Sequence, residues 1–279
     1  MSDNPCFLCG EKEKIKLCGS VPYNIVKCGG CSMVFVDPLP DKEFLESLYQ
    51  KKYYDFSESQ KKGRALQWMS RIGILDKFSK PGKLLDVGCG TGDFLKSAQH
   101  AGWDVQGTEF SGYSSREAGS AVNIPVFHGE LEDANFPEAS FDVITLWHVL
   151  EHIPDPAGLL QECRRILKDG GIMLVEVPNV NYALQKLKGY MNKGNAYFLL
   201  TFENSGEPHL NHFSSRHLAM AVSKAGFKVI KNKVGVPAYL SKSFFHNKWT
   251  YFYFRAAEFI NFISGINIGY SIFIVARKV

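Results

Sequence analysis

Apolar positions change period several times along the chain, and the changes mark out elements. Phe44, Leu45, Leu48 and Tyr49 form one stripe at three-and-four spacing; Ala65, Trp68, Met69, Ile72 and Leu75 form a second. Both predict helices, and Pro81-Gly82 closes the helical section. Lys83-Leu-Leu-Asp-Val-Gly88 then reads as a short buried strand running into a glycine turn, Cys89-Gly90-Thr91-Gly92-Asp93, and a helix. Further on, Leu159, Leu160, Cys163, Ile166 and Leu167 lie at helical spacing behind Asp155-Pro156, an N-cap with proline at the first helical position. Ser214 or Ser215 caps a later helix, and bulky residues alternate from Ile266 to Ile274 as in a last strand. Strands interleaved with helices predict an α/β protein.

The length, 279 residues, suits one large α/β domain plus a small appendage, with two medium domains as the alternative. At 45% hydrophobic and 22% charged residues the chain is neither disordered nor of low complexity. Its formal net charge of +4 comes without a basic cluster, which gives no support to a polyanion-binding surface. Met1 to Cys9 lacks the apolar core of an export signal. The longest uncharged run, Phe259 to Ala276, is too polar for a membrane span and is interrupted at Ser264-Gly265. Seven cysteines, an odd number, argue against a disulfide framework, and the compartment expected is a reducing cytoplasm.

Four of those cysteines fall in two CxxC pairs, Cys6/Cys9 and Cys28/Cys31, with eighteen residues between the pairs. This is the spacing of a four-thiolate zinc ribbon, each pair on a tight turn supplying two corners of a tetrahedron. A closed four-cysteine site has no open coordination position, so the Zn2+ expected here is structural. About forty residues cannot build enough core alone, and the metal supplies what burial cannot. Cys163, at apolar spacing, is expected in the core.

The glycine turn decides between nucleotides. A dinucleotide fingerprint needs glycines at its first, third and sixth positions, whereas here Gly88, Gly90 and Gly92 are followed by Asp93 at the sixth. An acid where a pyrophosphate would want bare amides disfavours NAD and FAD. Preceded by Asp86, the turn instead resembles the first motif of class I S-adenosylmethionine-dependent methyltransferases. The resemblance implies a Rossmann-like, doubly wound, mostly parallel seven-stranded sheet with an antiparallel last strand, and S-adenosylmethionine as cofactor. In that family the glycines let the backbone approach the methionine and ribose portions, and the carboxylate corresponding to Asp86 helps organise the same end.

The remaining motifs follow in the family's order. Trp103 to Glu109 reads as the second strand, and Glu109 can accept both ribose hydroxyls, with Phe110 beside it in the cofactor site. Gly129-Glu130-Leu131 resembles the third motif, bordering the adenine. Phe141 to His152 resembles the fourth, a strand whose end places Trp147 and His148 towards the methyl donor. Leu167 to Asn179 resembles the following turn and fifth strand. The match covers about residues 81–279, behind a helical linker or cap at 41–80 and the zinc-ribbon segment at 1–40. With Met33-Val-Phe-Val-Asp-Pro38 and Tyr53-Tyr54, the front end is similar to a bacterial subgroup acting on sugars and other small molecules, zinc-bearing sugar C-methyltransferases included.

Methyl transfer from a sulfonium is an in-line displacement in which positioning supplies much of the acceleration, and a base is needed only where the acceptor holds a proton. His212 is the first candidate base, with His209 and His152 beside it. Each also has a structural reading, as a loop-to-helix anchor for His209 and His212 and a loop-orienting residue for His152. His148 either contacts the cofactor or packs at the edge of the core. Trp147 either faces the sulfonium or is simply buried. Tyr54 and Arg64 either close over the cofactor or pack on a helix face.

Two insertions are expected to shape the acceptor side. Residues 180–211 carry Lys186, Lys188 and Lys193, which suit a phosphate on an activated sugar or a solvated helix face. Residues 237–264 hold ten aromatics, among them Phe244, Trp249 and Phe254, which suit an apolar lid, a homodimer face or a core helix. The chain therefore reads as an enzyme of the EC 2.1.1 class methylating a small-molecule acceptor, such as a nucleotide-linked sugar, at oxygen or carbon. The alternatives are an RNA methyltransferase using the ribbon for RNA contact and a non-catalytic cofactor-binding scaffold; modest charge and an aromatic second insertion speak against nucleic acid.

Overall fold

The structure, a computed structural model, describes residues 4–19, 22–48, 68–69, 71–201, 209–235 and 269–279. Tyr49, Tyr54, Arg64, Ala65 and the aromatic segment at 237–264 lie outside the described residues.

A seven-stranded sheet forms the centre, with strands β4 (Lys83–Val87), β5 (Asp104–Glu109), β6 (Phe127–His128), β7 (Phe141–Trp147), β8 (Leu167–Pro178), β10 (Phe227–Gly235) and β11 (Ser271–Lys278). Their order is β10-β11-β8-β7-β4-β5-β6. The pairs β4/β5, β4/β7, β5/β6 and β7/β8 are parallel, while β11 runs against both β8 and β10. The expected architecture, with a single reversed last strand, is therefore present. That strand begins at Ser271, with the described Gly269 and Tyr270 outside it, and ends at Lys278 rather than Ile274, its two faces largely covered. Its side chains then read as a continuous apolar run and lose the alternation that marks a half-exposed strand. Lys278 is buried and donates from Nζ to the Leu167 carbonyl at 2.8 Å.

Adjacent residues of each strand feed opposite faces of the sheet. Leu84, Val143 and Leu174 join a cluster with Phe94, Leu95, Ala118 and Val122 from helices α2 (Asp93–His100) and α3 (Gly112–Val122). Leu85, Ile144 and Val175 join another with Leu159, Leu160, Cys163, Leu218 and Val222 from α4 (Pro156–Ile166) and α6 (Ser215–Lys224). Asp155 caps α4, its carboxylate accepting from Ala157 N and Gly158 N at 3.1 Å each, and Ser214 caps α6. Helix α1 (Lys42–Leu48) begins behind Asp41, whose carboxylate accepts from Phe44 N at 2.8 Å. In the second predicted stripe Trp68, Ile72 and Leu75 are buried, but Met69 is 66% exposed, and Arg71 takes the inward position instead.

The N-terminal segment folds as a separate antiparallel sheet: β1 (Lys14–Gly19), β2 (Asn24–Cys28), β3 (Val34–Asp37) and, from far down the chain, β9 (Asn211–His212). Val34 pairs with His212 and Phe35 with Asn211. Leu8, Met33 and Phe35 share a hydrophobic cluster with Phe213 and Leu218 of the main domain. Phe7 meets Phe213 edge-on at 6.2 Å, and Lys224 Nζ donates to the Leu8 carbonyl at 2.6 Å.

Candidate active site

A cavity of about 1120 Å³ opens along the carboxyl ends of the parallel strands, the edge at which open α/β sheets bind ligands. Its size exceeds that of a typical pocket for one drug-sized ligand, leaving room for a cofactor and an acceptor side by side.

On the β4–β6 side the wall is backbone and acid. Gly88 has φ +64, and a Cβ there would fall 2.8 Å from Val149 Cγ2, so only glycine gives both the turn and the space. Glu109, buried at the end of β5, accepts from Gly90 N at 2.8 Å through Oε2 and from Ser111 N at 2.9 Å through Oε1. Phe110, Glu130 and Leu131 line the same wall. Glu130 forms an ion pair with Lys42 at 3.2 Å, and the Lys42 ammonium also lies 5.8 Å from the Phe110 ring centroid. This wall is a groove of bare backbone beside a fixed carboxylate and an aromatic ring. Asp86, in β4, and Gly92, in the turn that follows, stand behind the cavity wall. Asp86 accepts from Thr145 Oγ1 at 2.6 Å, and burial lifts its carboxyl to about 7 despite that bond and the Arg71 charge. Gly92 packs on Ala118 at the head of α2.

The floor carries a buried ion pair that the hydrophobic pattern missed. Arg71 is stacked between Trp68 and Trp147, with its guanidinium carbon 4.3 and 4.4 Å from their centroids. Through Nε and Nη2 it donates to Glu176 Oε2 at 3.0 and 2.6 Å. Burial would raise the Glu176 carboxyl, but Arg71 and His148 outweigh it and hold it at about 2. The signal was a lone acid inside the apolar run 172–177 and a lone arginine on an apolar helix face.

On the β7–β9 side four histidines converge. His148, Trp147, His152, His209 and His212 all line the cavity. His148 sits at the end of β7 with φ +58, an uncommon conformation for a residue with a side chain. Its Nδ1 is 3.2 Å from Glu151 Oε1 and its Nε2 is 3.7 Å from Glu176 Oε1. Desolvation opposes its charging, but the two carboxylates prevail and lift it to about 9. His212, locked into β9, is lowered to about 3, first by burial and then by His209 and His152. It is therefore neutral, and its Nε2 has no hydrogen-bond partner among the described residues. His152 and His209 meet edge-on at 4.8 Å.

Of the three lysines in the first insertion, Lys188 lines the cavity. Lys186, on α5 (Ala183–Lys193), donates to Asn181 Oδ1 at 2.8 Å and lies over Tyr197, and Lys193 lies over Phe198. Tyr182, Leu184 and Tyr270 complete the cavity wall on this side.

Away from this cavity, Cys6, Cys9, Cys28 and Cys31 come together with their sulfurs all within 4.8 Å of one another, Cys6 to Cys31 at 3.7 Å and Cys9 to Cys28 at 3.4 Å. Tetrahedral zinc at about 2.3 Å from each thiolate would set them about 3.8 Å apart, so the donor set and its spacing fit that ion. Among the described residues no helix is long and apolar enough to cross a membrane.

The strand order and the glycine turn beneath a fixed strand-end acid define the fold of class I S-adenosylmethionine-dependent methyltransferases. The chain belongs to the methyltransferase-domain family, which matches residues 57–232. It is 29% identical over 176 residues to a ubiquinone biosynthesis O-methyltransferase of Cupriavidus pinatubonensis, covering 60% of this chain and 66% of the relative. It is also 29% identical over 142 residues to a demethylmenaquinone methyltransferase of Listeria welshimeri, covering 48% and 58%. In both cases the chain spans less than two thirds of the relative's length. An S-adenosylmethionine-dependent methyltransferase from Archaeoglobus fulgidus shares the fold at a TM-score of 0.55 and 18% identity, over 85% of this chain and all of that one.

Proposed function

We propose that the protein transfers a methyl group from S-adenosylmethionine to a hydroxyl-bearing small molecule. The observation that carries this reading is one cavity with a nucleotide-shaped wall on one side and a histidine cluster on the other. Gly88 and Gly90 would lie along the methionine and ribose portions, Glu109 would accept the ribose hydroxyls, and Phe110, Glu130 and Leu131 would border the adenine. His148, held between Glu151 and Glu176, would position the reacting ends. His212 presents a buried neutral nitrogen to the acceptor side, and His209 and His152 stand next to it.

The relatives named for ubiquinone and demethylmenaquinone support a ring-bearing acceptor, as does the lining by Tyr182, Leu184 and Tyr270. A nucleotide-linked sugar would have Lys188 as the insertion lysine on the cavity. The four cysteines would hold a structural Zn2+, supported by their mutual spacing.

The test is transfer of labelled methyl from S-adenosylmethionine to a panel of catechols, quinols and nucleotide sugars, with wild type and His212→Ala. A turned-over hydroxylated acceptor, with kcat lowered at least about tenfold by the substitution, supports the reading. His212→Ala with unchanged turnover removes that histidine from the chemistry. Cofactor binding without transfer to any hydroxylated acceptor overturns the proposal.

A further inference from the structure

We infer that Glu151, His152 and His209 form a divalent-cation site at the acceptor end of the cavity, distinct from the four cysteines. The ligand-capable atoms of the three residues lie within 4.8 Å of one another. Ligands about 2.1 Å from a metal lie roughly 3–3.5 Å apart on neighbouring corners and about 4.2 Å apart on opposite ones. His152 Nε2 is 4.0 Å from Glu151 Oε1.

Two features separate this cluster from a chance grouping. Glu151 is 1% exposed, and its Oε2 has no hydrogen-bond partner among the described residues, an arrangement that costs free energy unless a cation or donor meets it. The two loops that contribute the residues are also fastened together. The Glu151 carbonyl accepts from Leu210 N at 2.7 Å and Asn211 N at 2.9 Å, and Asn211 Nδ2 donates to the Ile153 carbonyl at 2.7 Å. These bonds fix His209 opposite Glu151 and His152, although the residues are more than fifty positions apart in sequence.

Two imidazoles and one carboxylate suit Zn2+, Co2+, Fe2+ or Mn2+ better than Mg2+ or Cu+. Three protein ligands leave positions open, and because His152 and His209 line the cavity those positions face the acceptor. The cation's role there rests on the methyl-transfer reading: it holds the acceptor hydroxyl and lowers its pKa, so the proton passes by way of His212 to solvent. The oxygen lone pair then forms the new O–CH3 bond while the S–CH3 pair stays on sulfur, leaving a neutral thioether. The site thus points to oxygen, rather than carbon, as the atom methylated.

The test is Co2+ titrated into protein carrying a single equivalent of Zn2+ at the four cysteines, followed by absorption, with S-adenosylhomocysteine binding measured on the same samples. The expected result is one Co2+ with d–d bands and no thiolate charge-transfer band, its affinity at least about tenfold weaker in His152→Ala and in His209→Ala. His100→Ala, on an exposed helix end, leaves it unchanged. No second ion, a charge-transfer band alone, or wild-type affinity in both variants overturns the site. Retained S-adenosylhomocysteine binding in that event leaves the methyl-transfer reading standing, whereas its loss counts against that reading separately.

Discussion

Four buried carboxylates stand at or just beyond the carboxyl ends of neighbouring strands, and each is held by a different partner. Asp86 has Thr145, Glu109 has two backbone amides, Glu151 has His148 and Glu176 has Arg71. Asp86 has the weakest compensation, since one hydroxyl does not offset full burial and its carboxyl rises to about 7. In the unfolded chain the same group titrates near its ordinary value of about 3.9. Because the folded value is the higher one, the folded chain holds the proton more tightly between the two values. The contribution from Asp86 is then full below about pH 4 and is lost as pH rises through 7. Thermal denaturation between pH 5 and 8 should show wild type losing stability relative to Asp86→Asn as pH rises. Parallel curves would show that the acid is ionised throughout. Asp86 was legible in the sequence as a motif residue, but its place behind the wall was not, because a strand's sequence does not say which face borders a cavity. Arg71 and Glu176 were hidden for a related reason: hydrophobic pattern treats a buried ion pair as two exceptions rather than as one interaction.

At the scale of elements, the link between the N-terminal sheet and the histidine loop is the main addition. Strand β9 is two residues long, too short for periodicity to reveal, yet it joins the sheet that carries the cysteines. Val36 N donates to the Leu210 carbonyl at 2.9 Å, and His217 Nε2 is 3.0 Å from the Cys31 carbonyl. Order at the cysteines is thereby passed to His209 and His212. Removing the ion proposed at the cysteines, by chelation or by Cys28→Ser, should speed amide exchange both at 34–36 and at 210–213. Unchanged exchange at 210–213 after metal loss would show that the loop is held by the main domain alone. The long elements were legible by contrast: β4 with its glycine turn, α4 with its Asp155 cap, and the strand runs each carry local signals that burial reinforces. The end of β11 was not, since a strand covered on both faces loses its alternation.

Over the whole molecule, the sheet order places residues from β4, β5, β7 and the 209–212 loop around a single cavity. The ordered motifs make that convergence readable in the sequence, because each motif lies at a strand end and the parallel sheet aligns those ends. The acceptor side was less readable, being built from loops whose pairing depends on contacts distant in sequence. The central claim is that the β4–β5 side of the cavity binds S-adenosylmethionine through Glu109. Calorimetric titration of the full-length, zinc-loaded protein with S-adenosylmethionine tests it most directly, with Glu109→Ala as the comparison. The account predicts saturable one-to-one binding, weakened at least tenfold by the substitution, or about 1.4 kcal/mol. No binding by folded wild-type protein, or equal affinity in the two proteins, would contradict it.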